Sequence, residues 1–203
     1  IKEVFGEEVA FICAWMEKIS KIKYRWEERN VWSLRKMFIA MAEDLRVVFI
    51  KLSDRLHNMR TLKYHPKKEK KIRIAEETLN IYAPIADRLW LYSLKNSLEE
   101  ECFKILNAPD YRKLKKELKE LSTSSLSFIK NSEHEIEKIL QNADITWYEI
   151  DYRVKSIYSI YKKMNKKWLD SSKWLHDIFW IRIILADVPD CYKVLWLIHN
   201  NWK

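Results

Sequence analysis

The chain has 203 residues, enough for one large domain or two small ones. It is rich in Lys, Glu, Leu and Ile with only four Pro, which excludes a disordered or fibrous protein and points to a mostly helical globular one. The net charge of +9 favours polyanionic partners, nucleic acid or phosphorylated small molecules, without choosing between them.

No apolar run reaches the roughly 18 residues of a membrane-spanning helix. The opening "IKEVFGEEVAFICAW" lacks the basic start and apolar centre of a secretion signal, so a cytoplasmic location is expected. Cys13, Cys102 and Cys191 are odd in number, far apart and set among apolar neighbours, which predicts reduced core thiols rather than disulfides or a zinc site. One count is abnormal. Ordinary usage of about 7% would give about 14 Gly, yet Gly6 stands alone against ten Trp. Trp168 follows "IYSIYKKMNKK" and precedes the cap candidate Asp170, where a helix-terminating glycine is wanted, and Trp90 lies between two helical segments. The expectation is that most of these Trp stand at UGA codons which the source bacterium reads as glycine.

In chain order, residues 4–43 show helical apolar spacing. Over 44–62, Leu45, Val48, Phe49, Leu52, Leu56 and Met59 form one stripe while Val47 and Ile50 lie near the opposite side, which predicts a central helix buried on two faces. On the second side, Asp54, Asn58 and Thr61 share a face at i, i+4, i+7 spacing. A carboxylate in such surroundings needs a partner, and a metal ion or an Arg would serve. After the basic turn "KYHPKKEK" the pattern predicts a helix over about 68–83, stopped near Pro84, and another over about 91–106. Asn107 and Pro109 open a long polar helix with a break expected at the cluster "STSS". "YEIDYRVK" then alternates strictly, Tyr148, Ile150, Tyr152 and Val154 on one face and Glu149, Asp151, Arg153 and Lys155 on the other, as a half-buried strand does. A helix, a second strand "WIRIILAD" and a helix from Pro189 follow. The fold class is therefore mainly α, an all-α part followed by the start of a mixed α+β part, divided as 1–106, a helical connector 107–143, and 144–203.

"RVVFIKLSDRLHNMRTL" with "ETLNIYAPIADRLWLYSLKNSLEEECFKIL" resembles the end of the hydrolase domain of the RelA/SpoT homologue family, bifunctional enzymes of (p)ppGpp metabolism in the stringent response. "YRVKSIYSIYKKM" and "HDIFWIRIILADVPDCYKVLWLIHNNWK" resemble the opening of the same family's nucleotidyltransferase-like synthetase domain. The resemblance covers nearly the whole chain. The family commonly has Gly where Trp90 and Trp196 stand and Gly or Ala at Trp180, whereas Trp202 matches a Trp of its own.

The resemblance implies an HD-type site in which a His, a His-Asp pair and a distant Asp bind Mn²⁺, which activates water against the 3′-diphosphate. Asp54 matches that last Asp, Asn58 and Thr61 match residues lining the nucleotide pocket, and the other ligands would lie upstream of Ile1. In the synthetase part Asp177 of the pair His176-Asp177 matches a Mg²⁺-binding Asp, and Arg153, Lys155 and Lys163 match residues that grip substrate phosphates while ATP gives a diphosphate to the 3′-hydroxyl of GDP or GTP. Plain cross-strand pairing of Arg153 and Lys155 to acidic neighbours is the competing reading. Implied partners are GDP/GTP, ATP and (p)ppGpp, with the ribosome reached through other domains and no membrane. Neither active site would be complete within these residues, so this stretch alone is expected to be inactive. The rival from another class is a non-catalytic helical module binding RNA or the ribosome through its positive charge, and a second rival is a parent enzyme with only one of the two activities.

Overall fold

The computed structural model describes residues 1–20, 39, 44–169, 171–172 and 178–202. The chain divides into two compact units, residues 1–108 and 109–203.

The first unit is helical. Helix α1 (Lys2–Ser20) bends at Gly6, whose φ of 85° and ψ of 175° belong to a region essentially reserved for glycine. Helix α2 (Leu45–Thr61) starts at Asp44, whose carboxylate accepts from the Arg46 N–H at 2.8 Å and grips the Arg46 guanidinium. Those Arg46 hydrogen bonds hold the Asp44 carboxyl below its ordinary range.

Helix α2 buries one face, not two. Val47, Val48, Leu52 and Met59 are buried, while Leu45, Phe49 and Ile50 are exposed. Arg55 belongs to that one buried face. At roughly 100° per residue it falls in the middle of the buried arc, between Leu62 and Val48, where apolar periodicity registers a polar interruption. Its Nη2 donates to the Tyr82 hydroxyl at 2.6 Å and faces Glu77 Oε1 at 3.3 Å, with the guanidinium 3.9 Å from the Tyr82 ring centre. Burial pushes the Tyr82 phenol above its ordinary pKa, although the Arg55 charge opposes the shift.

After a 3-10 turn (Leu62–Tyr64), helix α3 (Lys68–Glu77) passes through a widened π turn (Thr78–Tyr82) into α4 (Ala83–Arg88). Pro84 therefore opens a helix where the sequence predicted a stop. In the π turn the Ala83 N–H reaches back to the Thr78 carbonyl, and this wider turn accommodates the proline ring and its missing N–H. Helix α5 (Tyr92–Leu106) closes the core with Leu98 and Cys102. Burial raises the Cys102 thiol to about 12, so it is inert. Cys13 and Cys191 are exposed, contrary to the expected core thiols, because their helices turn other residues inward.

The second unit begins with α6 (Ala108–Asn142), which runs through the Ser/Thr cluster without the expected break. The helix-propensity deficit of Ser and Thr is at most about 0.7 kcal/mol per residue, too little to end a helix between long Leu/Lys/Glu-rich flanks. Strand β1 (Tyr148–Val154) pairs antiparallel with β2 (Phe179–Leu185), Tyr148 opposite Leu185 and Val154 opposite Phe179. Between them lies α7 (Ile157–Lys167), capped by the Ser156 hydroxyl, and after them α8 (Val188–Asn201), capped by Asp187. The burial alternation predicted for β1 holds only in its first half, at Tyr148 and Ile150. Its inner face, Tyr148 and Ile150 with Ile181, Ile183 and Leu185, packs on Ile136 and Leu140 of α6, Ile145 and Val194 of α8, while Tyr152 and Val154 at its far end stay exposed. The unit is α+β.

Candidate functional site

Each unit contributes its own group of polar residues. In the first, Asp54, Asn58 and Thr61 project from successive turns of α2 beside the buried arc. The Asn58 amide donates to Asp54 Oδ1 at 3.2 Å, and Lys51 Nζ stands 3.6 Å from Oδ2. Asp54 was expected to need an Arg or a metal ion as its partner. Of the two, the Arg does not serve, since Arg55 turns inward; an amide and a lysine attend the carboxylate, and its side chain keeps 44% of its surface open. Thr61 donates its hydroxyl to the His57 and Asn58 carbonyls, which leaves its methyl group and helix position, rather than a free donor, to face outward. His57 is exposed on the same helix, and His65 accepts from the Lys67 N–H through Nδ1.

A divalent cation needs several oxygen or nitrogen donors at once. Among the described residues no three His, Cys, Asp or Glu side chains converge. Asp54 therefore offers one hard ligand, already oriented by Asn58, and not a metal site by itself.

In the second unit, Arg153 and Lys155 line a cleft of about 190 Å³ with Ser156, Ser159 and Trp180. The local sequence explains its shape. Strand alternation puts Arg153 on the outer face, the Lys155 N–H donates to the Ile178 carbonyl at 2.9 Å, and the chain then turns at Ser156 into α7. The Ser156 Oγ accepts from the Ser159 N–H at 3.3 Å and lies 2.8 Å from the Ser159 hydroxyl. Two cationic side chains thus flank a helix N-terminus, whose positive dipole end attracts anions.

The cross-strand partner of Arg153 is Trp180 and not an acid, and Lys155 Nζ lies 5.6 Å from the Trp180 ring centre. The acid-base pair on that face is Asp151–Arg182, at 2.7 Å. Cross-strand pairing to a carboxylate is therefore not what occupies Arg153. Lys163, one turn beyond Ser159 on α7, is not among the residues lining the cleft. Ser156, Ser159 and Trp180 were missed as site residues. A Ser three residues before another Ser at the start of a basic amphipathic helix was the available signal. Asp177, and with it His176, lies outside the described residues.

A helical first unit and an α+β second unit carrying a phosphate-sized basic cleft define the class, and comparison with known proteins narrows it. Residues 1–90 match the sequence profile of the HD domain, and residues 152–203 match the region found in RelA and SpoT proteins. The whole chain aligns at 42% identity with a guanosine-3′,5′-bis(diphosphate) 3′-pyrophosphohydrolase of Aquifex aeolicus and at 39% with a GTP pyrophosphokinase of Myxococcus xanthus. A GTP pyrophosphokinase of Brucella melitensis is 36% identical. The chain spans 29%, 27% and 27% of those relatives' lengths, respectively. It belongs to the RelA/SpoT family, as the residues quoted at the outset suggested.

Proposed function

We propose that the protein to which these residues belong makes and degrades (p)ppGpp in the cytoplasm: hydrolysis of the 3′-diphosphate in the helical unit, and transfer of a diphosphate from ATP to the 3′-hydroxyl of GDP or GTP in the α+β unit. The observation that carries this reading is the cleft where Arg153 and Lys155 meet the Ser156-capped N-terminus of α7. Nucleotide polyphosphates are multiply charged, and a cleft whose described lining offers two cations and the start of a helix favours such groups over uncharged ligands.

The role of each residue follows from its position. Arg153 supplies a planar fork that takes two phosphate oxygens, and Lys155 supplies a mobile point charge beside it. The Ser156 and Ser159 hydroxyls add donors at the helix start. Lys163, farther along α7, would engage a more distant phosphate of the same chain. On α2, Asp54 would be one ligand of a Mn²⁺ ion whose Lewis acidity lowers the pKa of bound water. Asn58 would fix the orientation of that carboxylate, and the Thr61 methyl and backbone would border the guanosine. Asp177 would hold Mg²⁺ in the synthetase.

The test is pyrophosphate release from ppGpp, with Mn²⁺ present, by the full-length protein and its Asp54→Ala variant. Loss of hydrolysis with synthesis retained is the expected result, and hydrolysis unaffected by the substitution would reject the role given to Asp54. Arg153→Ala should do the reverse, lowering synthesis and sparing hydrolysis.

A further inference from the structure

Three helices of this chain end in the same way, and the residues at those ends are chemically unequal. After α4, the Trp90 N–H bonds the Asp87 carbonyl at 3.0 Å and the Leu91 N–H bonds the Ala86 carbonyl at 2.9 Å. After α6, Asp144 bonds Gln141 at 3.1 Å and Ile145 bonds Leu140 at 3.1 Å. After α7, Trp168 bonds Asn165 at 3.3 Å and Leu169 bonds Met164 at 3.0 Å. Each is a Schellman motif, with paired hydrogen bonds that require a left-handed residue just past the helix. These three residues, Trp90 (φ 56°), Asp144 (φ 55°) and Trp168 (φ 54°), are the non-glycine residues of positive φ among those described.

Asp tolerates this conformation, because its short polar side chain bonds locally. Tryptophan does not. Its Cβ meets the following carbonyl, and its bulk adds nothing local in return. Nor does either indole recover the cost by packing, since Trp90 is 77% exposed and Trp168 is 92% exposed. The contrast with Trp202 is direct: its indole N–H donates to Glu135 Oε2 at 3.0 Å, from a backbone of negative φ. Gly6, the single glycine of the sequence, likewise sits where only glycine fits comfortably.

We infer that positions 90 and 168 are glycine in the protein as its organism makes it, specified by UGA codons. UGA is a single base away from the glycine codon GGA and from the tryptophan codon UGG, so one reassigned codon accounts for both the surplus of Trp and the deficit of Gly. Composition alone suggests this; the two Schellman positions locate it at particular residues. The inference also bears on the phosphate cleft. Trp180 forms one of its walls and lies over Lys155. Glycine there would open the wall and release the lysine toward a ligand.

The experiment reads the coding DNA at positions 90 and 168 and, in the same organism, the mass of the native peptides that contain them. UGA codons with peptides of glycine mass are the expected result. A UGG codon at either position, or UGA with a peptide of tryptophan mass, overturns the inference. A measurement on the recombinant protein checks the physical argument separately. Trp90→Gly and Trp168→Gly should each raise the melting temperature, by about 2–4 °C, and an unchanged or lowered value in both would show that the left-handed positions carry no strain for glycine to relieve.

Discussion

Asp54 stands on a helix whose inner arc is locked by Val47, Val48, Leu52 and Met59, whereas Arg153 and Lys155 stand on and just past a strand with a single hydrogen-bonded neighbour among the described residues. The first support is packed on a core that draws residues from α2 through α5. The second rests on four buried side chains, Ile136, Leu140, Ile145 and Val194. The difference teaches which kind of precision each chemistry requires. A metal ligand must be held to fractions of an ångström, so a rigid helix suits it. A phosphate grip by long flexible cations tolerates movement and gains from it.

Four substitutions test that contrast. Leu98→Ala, which empties a buried site in the core that supports α2, should cost about 2–5 kcal/mol in chemical denaturation and take the Asp54 site with it. Arg55→Ala leaves Glu77 without its cation beneath the core and should cost about 3 kcal/mol. Relative to Arg55→Ala, Arg55→Met should recover part of the loss if packing is what matters. Arg153→Ala should weaken nucleotide binding by about tenfold to a hundredfold, the worth of a charge-assisted hydrogen bond of roughly 1.5–3 kcal/mol, and leave the melting temperature almost unchanged. If instead it unfolds the second unit, the cleft is a structural joint and the contrast fails.

The smallest effect concerns pH. Burial alone would raise the Glu117 carboxyl, but the Ser172 N–H and hydroxyl and the Ser171 hydroxyl, at 3.0, 2.8 and 3.1 Å, together bring it below its ordinary 4.5. A carboxyl lowered on folding adds stability that is fully present above the unfolded value and fades as pH falls through the folded one. Wild type should therefore lose stability below about pH 4.5 more steeply than Glu117→Gln, by about 1 kcal/mol or less for a partly exposed group. Parallel acid profiles for the two would show that the Ser171–Ser172 contact holds nothing.

Much of this was legible in the sequence, for identifiable reasons. Strand alternation placed Arg153 on one side and Tyr148 and Ile150 on the other, and i, i+4 spacing brought Asn58 to Asp54, because both depend only on local geometry. Trp90 and Trp168 were legible as left-handed positions because helix ends have their own grammar. What escaped depends on partners distant in the chain. Arg55 was passed over, because its burial shows only once Glu77 and Tyr82 are seen beside it. Pro84 reads as a stop unless the preceding turn is π. Ser156 and Ser159 carried a signal of a helix start, but their place in the cleft comes from Arg153 on the adjoining strand and Trp180 across the sheet. Lys163 was grouped with Arg153 by the family resemblance, and on α7 it stands outside the lining of this cleft.

The antiparallel pair of β1 and β2 has a further consequence. Among the described residues each strand is bonded on one side only, and β1 ends in exposed Tyr152 and Val154. Unsatisfied backbone donors and acceptors beside apolar side chains invite another strand. Expressed by itself, the second unit should therefore be limited in solubility by its sheet and not by its charge: concentration should drive it into β-rich aggregates despite the basic surface, and a single Lys at position 152 or 154 should delay them.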